Sequence, residues 1–152
     1  MAPLIVQIVS TLAARWFVPW KDAARIGLAV MFLFTGGSHF SSLKYDLAAM
    51  IPPPLTGALW MIYLTGLLEM AGAIGLLTSR LRRPAAWGLL ALLVALFPAN
   101  VYAALTGVTL GGSAATPLWF RAPLQVFWLA VLWTSSLSAS IGGKKMRRAE
   151  VA

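Results

Sequence analysis

Four apolar stretches, at about 23–40, 55–78, 85–105 and 118–138, follow one another along the chain, separated by short polar or proline-containing segments. The second, LTGALWMIYLTGLLEMAGAIGLLT, carries a single charge, Glu69. As a helix it is about 36 Å long at 1.5 Å rise per residue, enough to cross a hydrocarbon core of about 30 Å. Ahead of the four stretches, residues 1–20 show a different pattern. On a helix, Gln7, Ser10, Thr11 and Arg15 share one face, while Leu4, Ile5, Ile8, Leu12 and Trp16 share the other. That pattern predicts an amphipathic helix lying in a membrane interface and broken by Pro19, with Trp16 and Trp20 at headgroup level. The expected fold is therefore all-α: an interfacial helix over 1–20, an up-and-down bundle of four transmembrane helices within 21–140, and a basic tail over 141–152.

The connections punctuate this reading. Thr35-Gly36-Gly37-Ser38-His39 makes the end of the first stretch small and polar, unsuited to facing lipid. Pro52, Pro53 and Pro54 stop any helix before the second stretch. Ser79 to Pro84 forms a short basic turn, and Gly107 to Pro117 an uncharged loop. Inside the third stretch, Pro98 removes an N–H and is expected to free a carbonyl near Val94 and kink the helix. A faint echo at an offset of 61 residues places Gly27 on Gly88, Leu28 on Leu89 and His39 on Asn100, as two parallel-repeated hairpins would.

Composition narrows the class. Hydrophobic residues make up 60% of the chain and charged residues 11%, far from the soluble average. The net charge of +8 would suit nucleic acid, but the basic residues cluster at the ends of apolar stretches, so they act as topology signals and no nucleic-acid partner is expected. Of the 12 basic residues, ten fall on one side: Arg15, Lys21 and Arg25, then Arg80, Arg82 and Arg83, then Lys144, Lys145, Arg147 and Arg148. Lys44 and Arg121 alone fall on the other, so both termini are expected in the cytoplasm of a bacterium, with a multi-pass chain in the inner membrane. The absence of cysteine excludes thiol redox chemistry and iron–sulfur ligation by this chain, and a single histidine excludes a histidine-rich metal site.

Depth along the spans then gathers the remaining polar residues. Glu69 falls near the midplane, where an ionised carboxylate costs about 2.5–3.5 kcal/mol on insertion scales, so it must face other helices and be paired or neutral. His39, Asn100, Arg121 and Gln125 all fall in the outer half, while the inner halves are nearly pure Leu, Ala, Ile, Val and Gly. The expectation is a polar pocket that opens outward and is sealed inward, with Asn100 bridging Glu69 to the Arg121–Gln125 face and His39 at the outer rim. Each member also has a packing role open to it. Arg121 can snorkel to headgroups, Asn100 can cap the kink, and Gln125 can bond between helices. His39 can sit as an interfacial residue, and Glu69 can bond a backbone carbonyl in its neutral form.

The segments GLAVMFLFTGGSHF, LTGLLEMAGAIGLL, AAWGLLALLVALFPANVYAAL and WFRAPLQ together resemble the DoxX-like membrane proteins, over about 23–133. That resemblance implies a four-helix integral membrane protein of membrane redox systems, in which Glu69, Asn100, Arg121 and Gln125 match the family pattern. It implies a redox partner protein and a quinone-type or small anionic ligand, with no intrinsic cofactor, and Glu69 and His39 as candidates for proton transfer. Two other readings stay open: a structural anchor or assembly subunit without chemistry, and a small proton-coupled transporter acting as a homo-oligomer.

Overall fold

The computed structural model describes residues 2–114 and 116–138, and the basic tail expected over 141–152 lies outside them. The described chain is almost entirely helical: α1 (Ala2–Arg15), α2 (Trp20–Ser38), α3 (Lys44–Ala49), α4 (Leu59–Leu77), α5 (Arg82–Thr106) and α6 (Leu118–Ser136). A two-stranded ribbon, β1 (Thr109–Leu110) with β2 (Ser113–Ala114), interrupts the loop before α6. Its turn is Gly111-Gly112, both at positive φ, which is the geometry a two-residue hairpin turn requires. Among the described residues two helices, α4 and α5, are long and apolar enough to cross a membrane.

The helix limits follow local chemistry. Pro19 sits at the N-cap of α2, where its missing N–H is harmless. Pro52 to Pro54 and Gly57, at φ 81°, delay the start of α4 to Leu59, later than the apolar pattern alone suggests. The basic turn does not stay outside the helix, because Arg82 and Arg83 form the first turn of α5. Gly107, at φ 68°, ends α5 with its N–H on the Ala103 carbonyl.

Helices α2, α4, α5 and α6 pack as a ring in which each touches the next and α6 closes back on α2. Neighbours are antiparallel, as paired positions show: Thr35 with Glu69 and His39 with Ile62 across α2/α4, and Asn100 with Arg121 across α5/α6. The ring needs close backbone approach at two seams. A Cβ on Gly66 would lie 2.7 Å from Cβ of His39 and 3.1 Å from the Gly36 carbonyl oxygen, so only glycine fits between α4 and α2. Across α4/α5, Gly72 receives Leu89 and Gly75 receives Ala85 in the same way. One half of the ring is a dry core of Leu28, Phe32, Leu76, Leu89 and Leu132.

Helix α1 departs from the sequence expectation in orientation. It runs lengthwise along α2, with Thr11 and Gln7 against Gly27 and with Pro3 and Leu4 reaching the same cavity as Met31 and Phe32. Its polar stripe therefore faces the protein. Gln7 is 3% exposed and accepts a hydrogen bond from Trp128 of α6 at 2.7 Å, while Ile5, Ile8, Val9 and Leu12 face outward. The physical reason is Gly27, whose missing side chain admits Thr11, together with a connection of only four residues, 16–19, that folds α1 back.

A paired substitution tests the glycine seam. Gly66→Ala is expected to lower thermal stability by about 1–3 kcal/mol through overpacking against His39. Gly88→Ala, where a Cβ meets nothing within 4 Å, should be neutral or stabilising by up to about 1 kcal/mol of helix propensity. Thermal unfolding in detergent, followed by circular dichroism, distinguishes the two. Equal shifts would show that the α2/α4 contact does not need glycine.

Candidate functional site

The polar ends of α2 and α4 meet because Gly36 and Gly66 let the helices touch. On α2, Thr35 and His39 lie four residues apart and so share a face. That face meets Glu69, which is 6% exposed. The Thr35 hydroxyl donates to Glu69 Oε2 at 2.6 Å. His39 Nδ1 lies 2.8 Å from the Ile62 carbonyl, which can only accept, so Nδ1 carries a proton. The Thr65 hydroxyl lies 3.1 Å from the same nitrogen and itself donates to the Ile62 carbonyl at 3.0 Å. In the neutral ring, Nε2 is then a proton acceptor aimed at Glu69 Oε1 across 3.8 Å, longer than a hydrogen bond and short enough for a small rotamer change to close.

The opposite wall comes from α5 and α6. Arg121 Nη1 donates to Asn100 Oδ1 at 2.9 Å. Gln125 is buried and its Nε2 donates to the Leu93 carbonyl at 2.6 Å, five residues before Pro98. A side chain of α6 thus bonds the α5 backbone one residue before Val94, whose carbonyl lacks a helical donor because Pro98 has no N–H. Arg121 forms no ion pair with a carboxylate among the described residues, so most of its five donors remain for another acceptor. The two walls enclose a cavity of about 520 Å³, within the range of small-molecule sites, and its lining is mostly apolar, including Phe32, Ile62 and Leu124. Its end next to the α3–α4 connection is lined by Ile51 and the Pro52–Pro54 run, and by Leu110 of β1. Asp46 on α3 accepts the Gly111 N–H at 2.8 Å.

All five residues singled out from the sequence, His39, Glu69, Asn100, Arg121 and Gln125, line this one cavity. Their pairing differs from expectation in two respects. Asn100 bonds Arg121 and makes no bond to Glu69, whose partners come from α2. His39 is not at a rim: it is 7% exposed and stands beside Glu69. The sequence reading places Thr35 only within a small, polar helix end and does not single out Thr65. The signal that could have found Thr35 is its four-residue spacing from His39, and for Thr65 the same spacing from Glu69. Gln7 and Trp128 were also missed as a pair, because they lie 121 positions apart.

Fold and site define an all-α protein whose long helices surround one mostly apolar cavity with an acid–histidine wall and an arginine–amide wall. The chain belongs to the family described as Domain of unknown function (DUF8561), which it matches over residues 28–138. That match contains His39, Glu69, Asn100, Arg121 and Gln125 and leaves out all of α1 and the first eight residues of α2. No curated protein and no solved structure matches the chain.

The Arg121–Asn100 contact can be measured. A double-mutant cycle with Arg121→Met and Asn100→Ala is expected to give a coupling of about 1 kcal/mol or more in thermal stability, since one partner is charged and half-buried. Additive effects would show that the two side chains do not support each other.

Proposed function

We propose that this chain is a multi-pass membrane protein in which α2, α4, α5 and α6 all span the bilayer, and that its cavity presents a quinone-type or small anionic ligand to a redox partner. Several features support the membrane reading. Large apolar side chains face outward all round, among them Leu67, Ile74, Val94, Leu105 and Val126. Exposed tryptophans form two belts, Trp16, Trp20, Trp87 and Trp133 at one end and Trp60 and Trp119 at the other, as membrane interfaces favour. Six described basic residues, Arg15, Lys21, Arg25, Arg80, Arg82 and Arg83, stand at the first end against Lys44 and Arg121 at the second. By that bias the first end is cytoplasmic, in a bacterial inner membrane, and the cavity lies toward the outer face.

The observation that carries the ligand reading is the convergence of Arg121, Asn100, Gln125, His39 and Glu69 on one apolar cavity closed at the cytoplasmic end. Free guanidinium donors beside Asn100 suit a carbonyl or anionic oxygen. Across the cavity, His39 Nε2 and the Glu69 carboxyl are placed to take and pass a proton. The resemblance to DoxX-like proteins points to the same kind of role. A second reading rests on Thr35–Glu69 and Gln125–Leu93: these bonds can serve as interhelical glue in an anchor without chemistry.

The test is extraction of the purified protein with organic solvent and identification of what it carries. A bound isoprenoid quinone, lost in Arg121→Ala at unchanged protein yield, is the expected result. Absence of any bound quinone or anion, with Glu69→Ala and Asn100→Ala lowering only thermal stability, would favour the anchor. Proton-coupled solute flux in liposomes would favour a transporter.

A further inference from the structure

Helix α1 is amphipathic in the sense opposite to that of a helix on a soluble protein. Its polar residues Gln7 and Thr11 point at the bundle, and Ile5, Ile8, Val9 and Leu12 point away, each about half exposed. Between α1 and α6 runs a second cavity, a groove of about 200 Å³ separate from the polar site. Its walls are Ile8 and Leu12 of α1, Trp20 and Ala24 of α2, and Phe127 and Val131 of α6. Gln7 and Thr11 also border it, Gln7 with its side-chain oxygen already bonded to Trp128. The groove begins at Trp20, at the basic end of the bundle, and continues toward the middle of α6. At that end stand Arg15, which closes α1, and Lys21, which follows Trp20. Neither is ion-paired with a carboxylate among the described residues, since Asp22 is taken by Arg25.

We propose that this groove holds one acyl chain of an anionic phospholipid whose phosphate lies between Arg15 and Lys21. Charge decides the class of guest. Arg15 at the end of α1 and Lys21 beside Trp20, which walls the groove, pair with no carboxylate among the described residues, and cations there match an anionic head on an apolar chain. Shape agrees, because the groove has room for part of one chain and is narrow compared with the polar cavity. The guest also explains the orientation of α1, whose outward face needs hydrocarbon around it. The inference rests on the reading that the bundle spans a membrane, and it adds α1 to the membrane-embedded part of the chain.

The test reconstitutes the full chain in vesicles of phosphatidylethanolamine with a minority of phosphatidylglycerol, releases it in mild detergent and weighs it with its retained lipid by native mass spectrometry. One retained phosphatidylglycerol is expected. Arg15→Gln with Lys21→Gln should lower the preference for phosphatidylglycerol by roughly tenfold or more. Val131→Phe, which fills the groove without touching the cations, should abolish retention while the thermal midpoint holds. Retained lipid that mirrors the vesicle composition in all three proteins is annular lipid only and overturns the proposal. As the chain has no cysteine, a nitroxide on Ile8→Cys gives an independent reading. Quenching by oxygen is expected, and quenching by a water-soluble nickel chelate would place α1 outside the hydrocarbon and overturn the proposal. Carbonate extraction separates the two failures: a chain that stays in the membrane without lipid in the groove refutes this inference alone, and a chain that is extracted refutes the membrane reading beneath it.

Discussion

The contact between Gly36 and Gly66 governs the arrangement of this protein. Without side chains at those two positions, the backbones of α2 and α4 approach until a Cβ on Gly66 would meet His39. Thr35 and His39, on either side of Gly36, then have nowhere to point except at α4, where Glu69 lies one turn beyond Gly66. The polar wall is thus a consequence of a packing constraint. Were the helices held farther apart, by even one methyl group, the 2.6 Å Thr35–Glu69 bond could not form and the carboxyl would stand in an apolar cavity without a partner.

The seam also divides the ring along its length. On the basic side of it, Ala73, Leu76, Ala86 and Leu89 continue the close packing and leave a dry core. On the other side, where Pro98 lies within α5 and Gln125 reaches the Leu93 carbonyl, the cavity opens. The cavity is apolar over most of its surface and polar at two opposed walls.

Helix α1 illustrates how the surroundings set the meaning of an amphipathic pattern. Its polar and apolar faces are those the periodicity defines, yet the apolar face is outward. In water that orientation would be unfavourable. Beside helices that expose many large apolar side chains, it is the orientation that places Gln7 on Trp128 and leaves Leu12 among similar side chains.

By itself the sequence determined the helical class, the position of each long helix to within a few residues, and the five polar residues of the cavity. Those follow from local rules: apolar stretch length, prolines and glycines as breakers, and the expense of polar groups inside apolar helices. The tertiary structure decided which of the polar residues pair. Glu69 bonds Thr35 rather than Asn100 because the glycine seam lies on its α2 side, and composition does not say toward which neighbour a small-residue face will turn. It also decided the direction of α1, since a two-faced helix fits equally well with either face inward until a partner such as Gly27 is brought to it. Periodicity fixes the faces of a helix, whereas the choice of partner is a comparison of packing energies between segments far apart in the chain, which no local pattern records.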